Sequence, residues 1–156
     1  MILHLLRHAK TEKLASSGKD FDRNLAQKGI LQSQQLVNYF SQKSLKNTTI
    51  YVSAANRTVQ TANLIFPNNN LQICRDLYLA SAQQILAFLN TLQSTSDLFV
   101  IGHNEGISEL ASYLLGENIH LQTAGYLAIS FSCANSAEIS KQTGTILQTF
   151  RPEFIP

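Results

Sequence analysis

Short apolar runs alternate with amphipathic stretches along this chain, and the order in which they come predicts a β-α-β-α succession. Residues 2–6 form an apolar run that stops at Arg7-His8, the pattern of a buried strand delivering charged side chains to the carboxyl edge of a sheet. Residues 11–24 are polar, carry Gly18 and predict a loop long enough to serve a function. The spacing of Ile30, Leu31, Gln34, Leu36, Val37 and Phe40 predicts a helix over 26–43. A strand over 48–52 precedes a helix over 56–66, which Pro67 stops, and Asn68-Asn69-Asn70 reads as a turn. A short strand at 71–74 and a helix at 81–93 follow, the helix carrying Ile85, Leu86, Phe88, Leu89 and Leu92 on one side. Residues 97–102 predict a strand ending in Gly102-His103-Asn104, followed by a helix over 104–115 that Gly116 closes. Residues 125–132 and 145–150 alternate as late strands and suggest an antiparallel pair at one edge. The expected fold is α/β: a single three-layer domain over 1–156, its mostly parallel central sheet flanked by helices, with antiparallel strands toward the C-terminus.

Two strands that each end in a histidine, one with an arginine beside it, suggest a site that handles phosphoryl groups through imidazole chemistry. Composition narrows the setting. A chain of 156 residues suits one domain, and a net charge of +2 without clustered Lys and Arg gives no footprint for nucleic acid. Cys74 and Cys133 are too few for a disulfide framework, so two buried free thiols in a reducing compartment are expected. The N-terminal run has no basic flank and is interrupted by His4, a poor signal peptide. No apolar stretch approaches the ~20 residues of a membrane span. A cytoplasmic protein is expected.

Three motifs, each after a predicted strand, now align: Arg7-His8-Ala9, Ser53-x-x-x-Arg57-x-x-Gln60-Thr61-Ala62, and Gly102-His103-Asn104. Together they resemble the histidine phosphatase superfamily, with its phosphoglycerate-mutase-like fold. Asp20-Phe21-Asp22-Arg23-x-Leu25 followed by Gly29, with Leu77-Tyr78-x-Ala80-Ser81, looks like the small SixA-type phosphohistidine phosphatases. The resemblance implies that His8 is the nucleophile, that Arg7 and Arg57 clamp the phosphoryl dianion, and that His103 donates to its oxygens. These residue types suit the chemistry. Guanidinium is a planar, permanently charged donor, and a neutral imidazole is a nucleophile near pH 7. Neighbouring arginines should disfavour the cationic form of His8. Two in-line transfers follow, to His8 and then to water, with no metal or cofactor because cationic side chains supply the electrostatics.

Two assignments stay open at this level. Arg23 is either a further phosphoryl contact, oriented by Asp20 and Asp22, or a loop-anchoring ion pair. Asp76 matches the position of the family's general acid, and is otherwise an ordinary turn carboxylate. A phosphohistidine substrate relaxes the need for that acid, since its imidazole leaves readily once protonated. His4, at alternating spacing within the first strand, reads as a core histidine, and His120 has no partner motif. Asn104 reads as a helix N-cap and Glu105 is expected to point away from the phosphate. Thr123-Ala124-Gly125 is expected to border the pocket through backbone amides. Ala54 and Asn24 stand where the family often has proline, which should loosen both turns.

The resemblance and the short connections after strands two to four predict an open, shallow pocket for a phosphorylated protein, such as a histidine-phosphotransfer domain. The alternatives are a broad-specificity phosphatase for small phosphomonoesters and a non-catalytic phosphoryl-binding module. Neither nucleic acid nor membrane is an expected partner.

Overall fold

Strict alternation of side chains across each strand divides the apolar residues into two cores, one on either face of a six-stranded sheet. In the computed structural model, which describes residues 1–153, the strands are β1 (Ile2–Arg7), β2 (Thr48–Ser53), β3 (Leu71–Cys74), β4 (Asp97–Gly102), β5 (Tyr126–Phe131) and β6 (Gly144–Phe150). The last three residues of the expected domain lie outside the described residues. Leu3 and Leu5 of β1, Leu98 and Val100 of β4, and Leu127 and Ile129 of β5 point to one core. Leu6, Phe99, Ile101, Tyr126 and Ala128, on the alternate positions, point to the other. Helices α1 (Gln27–Ser41) and α2 (Asn56–Ile65) pack together on the second face, and α3 (Ala82–Leu92) and α4 (Gly106–Leu115) on the first. The three layers are those expected.

Strand order is β3-β2-β4-β1-β5-β6. β1–β4, β4–β2 and β2–β3 are parallel, while β5 runs antiparallel to both β1 and β6. The parallel register aligns Arg7 with Gly102 and Leu6 with Ile101, which in turn faces Val52. The carboxyl ends of β1, β4 and β2 therefore lie side by side, bringing His8, His103 and Ser53 to one edge.

Local sequence explains the boundaries. Ser81 caps α3 by accepting from the Gln84 amide, while the Gln84 side chain accepts from the Ser81 amide in return. Gly116 ends α4 at φ 77°, as its position predicted. α4 differs at its start, beginning at Gly106 instead of 104: Asn104 does not cap it, because its side-chain oxygen accepts from Ser108 Oγ. Gly29 lets the first turn of α1 lie against the segment after β1; a Cβ there would stand 2.0 Å from the Lys10 carbonyl oxygen. The cysteines are free, as expected, but only partly buried, since both lie where strands give way to surface turns. Among the described residues, no helix is long and apolar enough to cross a membrane.

Candidate active site

The loop after β1 is held by side chains reaching from α1 and α2. Ala9 N donates to Thr61 Oγ1 at 3.1 Å, Lys10 N to Gln32 Oε1 at 2.8 Å, and Leu25 N to Gln60 Oε1 at 2.7 Å. This accounts physically for Gln60-Thr61 within the second motif: the two side chains satisfy loop amides and so position His8. The positions where proline was missing are tied in another way. The Ala54 amide donates to the Cys74 carbonyl, which proline could not do, and Asn24 Oδ1 accepts from Asn56 and Gln60.

Arg7, His8, Lys10, Thr11, Asp20, Arg23, Arg57, Leu79, His103, Asn104 and Thr123 line a cavity of about 290 Å³ at this sheet edge. Its floor is desolvated: His8 is 9% exposed, and Arg57 and His103 are 3% exposed. Its rim is wetter, formed by Asp20, Arg23 and Leu79. The imidazole centroids of His8 and His103 are 5.4 Å apart. His8 Nδ1 is 2.8 Å from the Ala9 carbonyl oxygen. A carbonyl only accepts, so Nδ1 carries the proton and Nε2 is left with a free lone pair. Burial pushes the His8 imidazole down to about 4, with Arg57, Arg7 and Arg23 lowering it further against the raising effect of the Ala9 carbonyl. The arginines were expected to be the cause; desolvation is the larger one. His103 is driven down to about 3 by burial, then by His8 and Arg57. Both rings are neutral near pH 7.

Each arginine has a distinct anchorage. Arg7 Nη1 donates to the Leu121 carbonyl at 2.9 Å, while its Nε is buried without a partner among the described residues. Arg57, in the first turn of α2, donates from Nη1 to the Asp20 carbonyl at 2.7 Å and from Nη2 to Asp20 Oδ2 at 2.9 Å. Arg23 donates to the Glu12 carbonyl, to Asp20 Oδ1 and to Thr11 Oγ1. It thus anchors its loop, which is the ion-pair reading, and it also lines the cavity.

Asp20 is the residue the sequence undervalued. Read there only as an orienter of Arg23, it bridges Arg23 and Arg57 and accepts a hydrogen bond from the Tyr78 hydroxyl at 2.7 Å. Burial alone would raise its carboxyl, yet the hydrogen bonds from Tyr78, Arg23 and Arg57 hold it well below the usual carboxylate range. Its spacing three residues before Arg23 was the available signal. Asp22 instead accepts from Ser17 Oγ. Tyr78 sets its ring edge-on to His103, with centroids 5.6 Å apart.

Asp76 is not brought to this cavity: it sits exposed on the 3₁₀ turn Arg75–Leu77. Glu105 is exposed and absent from the lining, pointing away as expected. Thr123 borders the cavity, but the Ala124 and Gly125 amides donate to the His8 and Gln122 carbonyls and so serve the backbone of the site. His4 is a satisfied core residue, its Nδ1 2.7 Å from the Tyr126 hydroxyl. His120 lies outside the lining.

Comparison with known proteins agrees with this geometry. A family model described as histidine phosphatase superfamily (branch 1) matches residues 3–80. Among solved structures, the chain is similar to a protein assigned as phosphohistidine phosphatase SixA from Nakamurella multipartitia (TM-score 0.83, 20% identity, covering 97% of this chain and 95% of that one). It is similar also to the protein histidine phosphatase SixA complexed with tungstate (TM-score 0.78, 18% identity, 97% of each chain). A mutant phosphoserine phosphatase from Entamoeba histolytica, in complex with phosphoserine, gives a TM-score of 0.69 at 14% identity over 95% of each chain. Likeness at such identities shows a shared fold. No curated protein matches the chain.

Proposed function

The chain belongs to the histidine phosphatase superfamily, and we propose that it is a phosphohistidine phosphatase that dephosphorylates a protein through a phosphorylated His8. One observation carries this reading. His8 is neutral, has its Nδ1 committed to the Ala9 carbonyl, and keeps a free Nε2 in a cavity lined by three arginines and a second histidine. In the first transfer His8 Nε2 forms a bond to phosphorus while the substrate's P–N bond breaks. The bonding pair leaves with the substrate imidazole, which takes a proton from solvent. In the second transfer a water oxygen bonds to phosphorus as the P–Nε2 bond breaks; the bonding pair returns to His8 Nε2, the water's proton passes to solvent, and inorganic phosphate departs. Arg7, Arg57 and His103 bind the equatorial oxygens, where charge spreads during each step. Arg23, at the rim, extends the clamp toward the carrier.

Two features favour an imidazole leaving group on a protein. Asp20 is the one carboxylate among the described residues lining the cavity, and it is firmly ionised, so the lining offers no carboxylic acid to protonate an alkoxide. Apart from the loop between β1 and α1, connections at the site are short: only Ala54 and Ala55 separate β2 from α2, and only His103 to Glu105 separate β4 from α4. Few residues are thus available there to cap a small metabolite. A cytoplasmic, reducing setting suits the unpaired cysteines.

Incubation with a protein carrying phosphohistidine, beside small phosphomonoesters such as phosphoserine, tests the proposal. Release of inorganic phosphate should favour the phosphoprotein strongly, and an acid-labile phosphoryl adduct should form in the native chain and not in His8→Ala. Preference for the monoesters would overturn the substrate assignment. No adduct with either substrate would leave only a phosphoryl-binding role.

A further inference from the structure

We propose that Ser53 is a positioning residue that selects the tautomer of His103: its hydroxyl donates to Nε2, so the ring carries its single proton on Nδ1 and offers it to a phosphoryl oxygen. The purpose of this device rests on the phosphatase reading above; the tautomer itself rests on geometry alone.

Ser53 ends β2, is fully buried, and places Oγ 2.6 Å from His103 Nε2. The two histidines of the site are held by different kinds of partner. A carbonyl holds His8 and dictates its tautomer, because it can only accept. A hydroxyl holds His103 and can either give or take, so its direction must be argued from what surrounds it.

Two observations give the same direction. The bond to His103 is the only one Ser53 Oγ makes among the described residues. Were Oγ to accept from Nε2–H, its own proton would be left without an acceptor at a fully buried hydroxyl, an arrangement such groups rarely tolerate. His103 Nδ1, the nitrogen that Ser53 leaves over, is itself buried and without a partner among the described residues. With the proton on Nε2, Nδ1 would be a bare lone pair in a cavity whose three arginines suit an anion. With the proton on Nδ1, the unmatched atom is a donor, and a phosphoryl oxygen completes it. Arg7 Nε in the same lining is likewise a buried donor with no partner. Two unmatched donors beside a free nucleophilic lone pair on His8 define complementary roles for one tetrahedral anion.

The consequence is a division of labour between the imidazoles. His8, with its proton on Nδ1, attacks through Nε2. His103, with its proton also on Nδ1 but Nε2 turned to Ser53, stabilises developing charge without becoming cationic. Ser53 touches neither substrate nor phosphorus and acts only through His103.

Long-range ¹H–¹⁵N correlation spectra of histidine-labelled protein at neutral pH read the tautomer directly, with and without inorganic phosphate. The native chain should show His103 Nδ1 protonated and Nε2 bare. Ser53→Ala should shift the ring toward Nε2–H or a mixture of forms, and Ser53→Thr, which keeps the hydroxyl, should restore the native pattern. In parallel, Ser53→Ala should lower kcat on the phosphohistidine protein by roughly 10- to 100-fold with KM within about threefold, as loss of a donor used in the transition state does. Ser53→Thr should recover most of that loss. A native spectrum with Nε2 protonated overturns the proposal whatever the kinetics. An Nδ1–H spectrum in a chain that hydrolyses no phosphohistidine would instead retain the tautomer and overturn the substrate reading, so the two failures are distinguishable.

Discussion

In the proposed mechanism His8 has to be neutral to attack and close to cations to bind its target, and burying the imidazole among guanidinium groups meets both needs. Its value of about 4 gives the sign of the pH response: the neutral ring is fully populated at pH 7 and is lost only as pH falls through about 4. The His8 Cε1–H chemical shift should therefore show no inflection between about pH 8 and 5.5. Arg57→Gln, which removes a lowering charge, should move the inflection upward toward the ordinary imidazole range; a downward move would contradict the electrostatic account. Asp20 presents the opposite balance. Its carboxylate aligns Arg57 and Arg23, yet it places a negative charge where a dianion must bind. Asp20→Asn keeps an acceptor and removes the charge, so inorganic phosphate should bind about threefold to tenfold tighter, consistent with a screened repulsion of about 1 kcal/mol. Calorimetric titration checks this, and weaker binding would show that alignment outweighs repulsion. Asp76→Ala, by contrast, should leave phosphohistidine turnover within about twofold, since the residue is exposed and outside the cavity. Residues placed together by lying at a strand's end, Arg7, His8 and His103, were legible in the chain as neighbours at one sheet edge. The roles of Asp20 and Ser53 were not, because they depend on where side chains from separate segments meet.

At the scale of elements, the buried strands and amphipathic helices announce themselves through periodicity, and β3 and β4 occupy the predicted residues. The loop between β1 and α1 does not. Its conformation comes from Gln32, Gln60 and Thr61, which reach in from helices formed elsewhere in the chain, and no local propensity encodes such bonds. The start of α4 was displaced by a local bond instead: Asn104 turns to Ser108, four residues on, and does not cap. Gly29 links the two kinds of structure, since α1 can approach the Lys10 carbonyl only without a Cβ. In an isolated helix Gly29→Ala would be stabilising by about 1 kcal/mol. Here the contact at 2.0 Å dominates, and the substitution should destabilise the fold by about 2 kcal/mol and lower kcat, because displacing Lys10 shifts Ala9 and His8. Urea unfolding and turnover measured on one preparation would check both effects; a variant at least as stable as the parent would show that the loop yields freely.

For the whole molecule, the desolvation that readies the site for chemistry also sets a limit on its acid stability. His4 and His8 accept protons in the native state only near pH 4, and His103 only near 3, whereas each does so near 6.5 when unfolded. Between those values the unfolded chain binds more protons than the native one, so stability falls as pH drops from about 6.5 toward 4. His4 and His8 would each contribute about 3 kcal/mol to that fall if their full shifts were realised, a large part of an ordinary domain's stability. His4 separates this cost from catalysis. It lies buried beside Phe99 and Tyr126, away from the cavity, and burial is the first cause of its shift. His4→Gln keeps a polar group to meet the Tyr126 hydroxyl and cannot titrate. It should cost some stability at pH 7 but reduce the slope of stability against pH by about 1 kcal/mol per pH unit between about pH 6 and 5. Phosphatase activity at pH 7 should be unchanged. Urea denaturation at several pH values measures that slope, and a slope equal to the parent's would place the acid sensitivity wholly in the active-site histidines.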